Sequence, residues 1–275
     1  MRKIVLLPRE TIRFAIEIVE KRHLIYELVK RDMKSRYTGS YFGLLWTIIQ
    51  PLMMMLIMWV VFSFGLKATQ GIQGVPFIAY MFTAQIAFTF FSDAVSSSTN
   101  VIWEYSFLVK KVNFRLSVLP IVKIISAFII HLIFIIIVSV FNGIGGVFPT
   151  LYYLQLVYYI FCVMLLALGI GWVASSINVF VRDVSNVIGI ILQFAFWLTP
   201  VFWNPAVLPE SWRKFVFFNP LSYIVSGYRD SLLYHKPFWE ADPVMTLSFW
   251  GFTLIMLFLG ITIFKKLRPH FADVI

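Results

Sequence analysis

Long runs without a single charge most limit what this chain can fold into. Ala68–Ser92, Ile124–Val181, Val184–Pro209 and Pro243–Phe264 contain no Asp, Glu, Lys or Arg, and a further run lies between Arg36 and Lys67. A helix of about 20 apolar residues crosses a bilayer. Of the 275 residues, 60% are apolar and 13% charged, where a soluble domain carries about 25% charged residues. Such a surface cannot be kept wet, which excludes a soluble enzyme. An aromatic content of 18% excludes a disordered chain. The run 124–181 is long enough for two spans and is broken by Asn142-Gly143-Ile144-Gly145-Gly146 and Pro149, a turn signal. The expected fold is therefore all-α and integral to the membrane, with six spans near 42–66, 76–98, 117–142, 151–176, 185–203 and 243–264. No run alternates with period two, and all are too long for membrane barrel strands.

Lys and Arg set the orientation. Six spans put both termini on one side, and 18 of the 23 basic residues fall on that side, ten of them in the first 42 residues. Positive loops stay in the cytoplasm, so both ends are expected there. The net charge of +10 thus reflects topology and anionic lipid, and no nucleic acid is implied. The first 36 residues are charged and show no apolar signal-peptide core.

Three segments outside the spans carry information. Residues 9–36 read as two short amphipathic helices lying in the interface plane. Ile12, Ile16 and Val19 share a face of the first; Ile25, Leu28 and Val29 of the second oppose Lys30, Arg31 and Lys34. Asn100–Pro120 is a cytoplasmic loop too apolar to be solvated, and it fits equally a helix on the membrane surface or one docked on a partner. Residues 203–242, on the outer side, contain Trp203-Asn204-Pro205, Leu208-Pro209 and Phe218-Asn219-Pro220 around a short apolar stretch from Phe215 to Gly227. A short apolar segment beside a span reads as re-entrant, and broken backbone at that depth needs cover from protein or a cavity.

Much familiar chemistry is missing. No Gly precedes a Lys, so the phosphate-cradling loop of an ATPase is absent. The single cysteine, Cys162, forms no intrachain disulfide. His23, His131, His235 and His270 are scattered; His131, near the middle of the third span, reads as a neutral imidazole bonded to a neighbouring helix. No array of charges suggests an ion relay, so energy for uphill transport must come from another chain. Asp93, Glu104, Asp183 and Asp230 are the carboxylates available to a rival reading, a membrane glycosyl- or acyltransferase; a structural scaffold is another. Aromatic residues are dense in the first span (Trp46, Trp59, Phe62, Phe64, after Tyr41 and Phe42) and the fifth (Phe194, Phe196, Trp197, Phe202, Trp203). Helix packing explains any one ring, but as a set they offer flat faces to a sugar chain. Ala167, Gly171 and Ser175 form a small-residue stripe that permits close helix approach.

Several stretches in order resemble the membrane permease of bacterial ABC exporters of polysaccharides and polyol phosphates, the O-antigen exporters among them. They are Lys30-Arg31-Asp32 with Arg36-Tyr37, Gly43-Leu44-Leu45-Trp46, Leu108-Val109-Lys110-Lys111-Val112, Val181-Arg182-Asp183-Val184, Leu198-Thr199-Pro200-Val201, Asn219-Pro220-Leu221 and Tyr228-Arg229. Asn113-Phe114-Arg115 departs from the Phe-Pro-Arg common in that family. The resemblance implies a half-transporter in the bacterial inner membrane. Two copies would form the pore, and two copies of a separate P-loop ABC ATPase would hold the ATP and Mg, leaving this chain without a cofactor or catalytic residue. It assigns ATPase coupling to Trp103, Glu104, Tyr105, Phe107, Leu108, Lys110 and Lys111, with Arg182 and Asp183 as a second contact. The first and fifth spans would line the channel through Tyr41, Phe42, Trp46, Trp59, Phe194, Phe196 and Trp197. Trp203, Pro205, Pro209, Phe218, Asn219 and Pro220 would form the outer gate. The cargo would be a glycan on a polyprenyl diphosphate, its phosphates held by Lys30, Arg31, Lys34 and Arg36. Teichoic acid, capsule and small hydrophobic cargoes fit the same spans. By this division residues 1–41 are cytoplasmic interface helices, 42–264 the membrane domain and 265–275 a cytoplasmic tail.

Overall fold

A computed structural model describes residues 20–37, 42, 43, 45–65, 74–109 and 115–275, and over these it is helical. Helix α1 is Arg22–Tyr37, α2 Leu45–Val60, α3 Phe77–Glu104, α4 Leu119–Ile144 and α5 Leu156–Asn178. Then follow α6 Val184–Leu198, α7 Glu210–Phe218, α8 Pro220–Arg229 and α9 Pro243–Leu267. Five stretches are long and apolar enough to cross a membrane: Leu45–Gly65, Phe77–Glu104, Leu116–Ile144, Leu151–Asn178 and Pro243–Val274.

The expected fifth span, 185–203, comes out shorter. Helix α6 has 15 residues, about 22 Å at helical rise, against a hydrocarbon core of about 30 Å. Its end lies in Thr199-Pro200: a residue before proline is driven out of the helical region, and Thr199 is extended at φ −86, ψ 137. The other ends are equally local. Gly146 at φ +86 lets Val147 N–H return to the Asn142 carbonyl, closing α4. Asn219 Oδ1 accepts from Leu221 N–H at 3.0 Å, with Pro220 at the first helical position of α8. Asp242 does the same for α9, taking Val244 and Met245 N–H.

Helix α3 is the buried axis, with α4 and α5 laid along it and α9 packed on α5. Helices α7 and α8 form a hairpin wedged between α3, α5 and α9. Its tip, Asn219–Leu221, lines a cavity with Phe91, Leu166, Ile170 and Phe252, well inside the long helices. By contrast α2 and α6 keep broad apolar faces outward: Trp46, Ile49, Met53 and Ile57 on one, Val187, Ile190, Phe194 and Trp197 on the other. Helix α1 is amphipathic as expected, with Ile25, Leu28 and Val29 buried and Lys30, Arg31 and Lys34 exposed, and it packs against α4. The first amphipathic segment, around Ile12 to Val19, lies outside the described residues.

Lipid tails give helices no hydrophobic reason to associate, so small residues that allow backbone approach decide the pairing. The stripe at Gly171 works in this way, since a Cβ there would come within 2.9 Å of Ser98 Cβ on α3. The tightest approach of α5 to α9 is at a pair the stripe did not single out. A Cβ on Gly260 would sit 2.7 Å from the Gly169 carbonyl oxygen, and one on Gly169 2.8 Å from Leu257 N. Both obstacles are backbone, so neither can swing aside. Gly169→Leu or Gly260→Leu is expected to cost at least about 1–3 kcal/mol, read as a lower melting temperature in detergent. Gly189→Ala, where a Cβ meets nothing within 4 Å, is expected to leave it unchanged.

Candidate functional site

Three regions hold the residues singled out from the sequence: the C-terminal end of α3, the outward faces of α2 and α6, and the hairpin.

Helix α3 stops at Glu104, and a short helix, Ser106–Val109, follows. Trp103 Nε1–H donates to the Asn178 carbonyl at 3.0 Å, and the Arg182 guanidinium lies 4.1 Å from the Trp103 ring centroid. The segments 103–109 and 182–183, assigned separately to coupling, thus meet in one surface. Glu104, Phe107, Arg182 and Asp183 are exposed on it. Tyr105 and Leu108 differ from expectation: they are 5% and 8% exposed and pack with Val101, Leu116, Val122 and Phe271. They anchor the turn to the bundle from inside. Burial pushes the Tyr105 phenol up to about 12, with the Asp32 and Glu104 charges adding to it. Lys110 and Lys111 lie outside the described residues.

A chain of alternating charges runs from this surface into the bundle. Glu104 accepts from Lys123 Nζ, and Lys123 Nζ reaches Asp32 Oδ1 at 2.5 Å. Asp32 also takes Arg36 Nε at 3.2 Å, and Arg36 Nη1 reaches Asp93 Oδ2 at 3.0 Å. The five groups tie α1, α3 and α4 together. Burial disfavours the Arg36 charge, but the Asp93 and Asp32 carboxylates outweigh it and hold its pKa above the ordinary guanidinium value. The four cations expected at a diphosphate therefore separate: Lys30, Arg31 and Lys34 are exposed, while Arg36 is turned inward onto two carboxylates. Arg31 lies 4.8 Å over the Phe107 ring, toward the coupling turn. Arg36 and Asp93 line a cavity of about 370 Å3 together with Trp46, Gln50, Phe90 and His131. Asp32 and Lys123 were not singled out as site residues, and Asp93 was weighed only as a carboxylate for the rival enzyme reading. The Asp32–Arg36 spacing of four on a helix and two charges beside apolar runs were the available signals.

On the membrane faces Phe42 and Trp46 meet edge to face at 5.8 Å, and Trp46, Phe194 and Trp197 are exposed. Trp59 is half-buried beside Phe64, at 5.7 Å. Phe196 is drawn inward onto Phe88 and Phe202, both at 5.0 Å. Phe62, in the helical turn that follows α2, stacks on Phe202 at 5.2 Å, joining it to the 199–203 segment. Tyr41 lies outside the described residues.

The hairpin is fastened by polar groups. Arg229, 4% exposed, donates from Nη2 to the Val201 carbonyl at 2.8 Å and from Nε to the Tyr80 carbonyl at 3.2 Å, with its guanidinium over the Tyr80 ring. Tyr80 OH donates to the Trp203 carbonyl at 3.2 Å. Asn219 Nδ2 reaches Thr199 Oγ1 at 3.1 Å, holding the hairpin tip to the end of α6. Pro205 and Pro209 begin the short helices of the same segment, and Phe218 is exposed. His131 has the neighbouring-helix partner expected of it: its Nε2 lies 2.8 Å from Tyr228 OH on α8.

Five long apolar helices define a multi-pass membrane protein, and no group of three or more His, Cys, Asp or Glu able to hold a metal occurs among the described residues. The carboxylates open to enzyme chemistry are either paired, as Asp93 and Glu104 are, or lie at opposite ends of the bundle. The chain belongs to the ABC-2 type transporter family, whose pattern covers residues 23–233; it is a transporter membrane subunit and not an enzyme. It is 27% identical over 264 residues to an O-antigen export system permease protein, RfbA, of Myxococcus xanthus, covering 95% of this chain and 99% of the relative. An O-antigen export system permease protein RfbA of Klebsiella pneumoniae is 25% identical over 256 residues, 92% and 95% of the two chains. The polysialic acid transport protein KpsM of Escherichia coli is 23% identical over 243 residues, 86% and 91%.

Breaking a buried pair strands its partner charge, at a cost of about 3–5 kcal/mol. Lys123→Met is therefore expected to lower the melting temperature of the purified protein sharply. The double variant Lys123→Met with Asp32→Asn is expected to recover most of the loss.

Proposed function

We propose that this chain is the permease half of an ATP-driven exporter that carries a lipid-linked polysaccharide of the O-antigen type out across the bacterial inner membrane. The observation that carries the reading is likeness over 95% of the chain to an O-antigen export permease. It stands together with an exposed cytoplasmic surface of Glu104, Phe107, Arg182 and Asp183 on a protein that lacks a phosphate loop of its own. Two copies pair across the outward faces of α2 and α6, and two copies of a P-loop ABC ATPase dock on the cytoplasmic surfaces. Both termini are cytoplasmic, with residues 1–41 and 265–275 on that face and 42–264 in the membrane. Helix α6 completes a sixth crossing with the 199–203 segment. Lys30, Arg31 and Lys34 meet the diphosphate of the cargo at the cytoplasmic mouth, and Phe42, Trp46, Phe194 and Trp197 offer ring faces along the path. The α7–α8 hairpin re-enters from outside and closes the exit; the bond of Tyr228 to His131, near the middle of α4, and the depth of its tip support this. ATP drives the cycle only if it favours one arrangement of the paired ATPases over the other. Trp103 under Arg182 carries their motion to α3 and α6 together.

Capsular polysaccharide is a second cargo of the same chemical class, favoured by the likeness to KpsM. The complex tests the reading directly. Affinity purification of the full chain from its host in mild detergent is expected to bring down a P-loop ATPase, and deleting the gene is expected to remove a surface glycan. An intact surface glycan in the deletion strain would sink the proposal. Phe107→Asp, on an exposed side chain, is expected to leave insertion intact and to cut ATPase recovery by about tenfold or more, the usual scale for a central interface aromatic.

A further inference from the structure

The segment after α9 is anchored where a plain tail would be loose. Pro269 has no N–H for a helical carbonyl, and its ring crowds the turn before it. Helix α9 accordingly ends at Leu267, and a turn, Arg268–His270, leads into a short helix, Phe271–Val274. Of residues 265–275, all of them described, Phe271 alone is buried, at 0% exposure. Its ring meets Phe264 of α9 edge to face at 5.6 Å and lies 6.0 Å from the Phe180 ring, centroid to centroid. A phenylalanine ring closed to water is a strong anchor, and here it is set into the bundle by a segment otherwise in the open.

Phe180 belongs to the turn between α5 and α6 that carries Arg182 and Asp183. At its start that turn is held to α3. Asn178, 2% exposed, donates from Nδ2 to the Thr99 carbonyl and to Asn100 Oδ1, both at 3.1 Å, and its own carbonyl takes Trp103 Nε1–H. Beyond Asn178 the backbone bonds are local: Phe180 and Val181 N–H return to the Ile177 carbonyl, and Ser185 N–H to the Arg182 carbonyl. Such bonds shape a turn without attaching it to anything else. Attachment comes from beneath. Val179, 1% exposed, and Phe271 share one buried cluster with Tyr105 and Leu108 of the neighbouring turn. Both parts of the exposed surface, Glu104 with Phe107 and Arg182 with Asp183, thus stand over the cluster to which Phe271 belongs.

We propose that Phe271 is a positioning residue for the ATPase docking surface: packed against Phe180, it holds Arg182 and Asp183 in register with Glu104 and Phe107. The inference rests on the docking reading above for the identity of the partner. Phe271 touches no partner itself, being closed to solvent, and acts through the turn it braces. A partner that grips two segments at once loses affinity if one of them must be ordered on binding, and a preset spacing removes that cost. Residues 268–275 thereby set the shape of a surface to which they contribute no contact of their own.

Hydrogen exchange on the full chain in lipid nanodiscs tests the brace, and titration of the same nanodiscs with the P-loop ATPase that co-purifies with the chain tests its effect on docking. Phe271→Ala is expected to speed exchange of the 179–185 amides about tenfold or more and to weaken ATPase binding about tenfold. Phe249→Ala removes an equally buried ring near the other end of α9. It is expected to lower the melting temperature comparably and to change neither reading. If Phe271→Ala is not monodisperse, Phe271→Leu carries both measurements against Phe249→Leu, with about threefold effects expected in the first and none in the second. Unchanged exchange in the Phe271 variant, unchanged ATPase affinity, or an equal loss of affinity in the Phe249 variant would overturn the assignment. The export reading falls by a different result, an intact surface glycan in the deletion strain, and the exchange measurement reads the brace whichever way that goes.

Discussion

The pairing of Lys123 with Asp32 is the interaction on which one half of the bundle, the end that carries α1, depends. Both groups are nearly closed to water, at 4% and 1% exposure. Neither charge is tolerable there alone, and neither is left with one partner: Lys123 also holds Glu104, and Asp32 also holds Arg36. The charges alternate in sign along the whole chain from Glu104 to Asp93. Each buried group thus has an opposite neighbour, which lets a low-dielectric site strengthen the attractions without stranding a charge. The consequence is positional. Helix α1 is fixed against α3 and α4 by polar contacts as well as by the burial of Ile25, Leu28 and Val29, so it is part of the bundle and not a loosely bound surface helix.

The opposite half solves a different problem with one guanidinium. The segment after α6 leaves backbone carbonyls without helical partners, and such groups are costly where water is excluded. Arg229 supplies a donor to one of them, Val201, and a second to the Tyr80 carbonyl on α3, from a helix that belongs to the hairpin. The same contact that satisfies the backbone therefore fastens α8 to α3. Tyr228 beside it bonds to His131, and Gly227 before it allows the Tyr159 ring to lie flat on the helix, where a Cβ would come within 2.0 Å. Three successive residues of α8 each lock onto a different element, whereas on α7 only Val216 is buried.

Charge-free runs carried most of the architecture into view, because in a membrane the cost of a charge sets the span boundaries directly. They failed at α6, where hydrophobicity continues to Phe202 but Thr199-Pro200 ends the helix: composition reads burial, and proline geometry reads the backbone. They also did not show that Arg229, counted with the outer basic residues, is buried, since its cost is met by carbonyls that a sequence does not display. The 100–120 loop stood out as a segment through its excess of apolar residues, but its sides were not resolved. Phe107 faces outward and Tyr105 and Leu108 inward because the chain bends at Tyr105, where no helical periodicity applies. The Gly169–Gly260 contact joins helices separated by three others in sequence, and small residues are too common for one stripe to name its partner.

Fastening is uneven across the molecule, and that unevenness bears on how a transport cycle could use it. Helices α1, α3 and α4 are joined by ion pairs, α5 and α9 by backbone approach at glycine, and α8 to the core by Arg229 and Tyr228. Packed contacts of this kind shift between discrete arrangements and do not stretch, so these elements move as a body or not at all. Helix α2 keeps a single buried residue, Met55, and α6 a single one, Leu192; their outward faces are closed only by whatever lies beside them. In a pore formed between two such chains, relative motion of the two bodies would change the surroundings of α2 and α6 before it disturbed any buried polar contact. The division follows from the contacts themselves: α1, α3, α4, α5, α8 and α9 are joined by buried polar groups or backbone approach, while α2 and α6 are held by little more than their flanks.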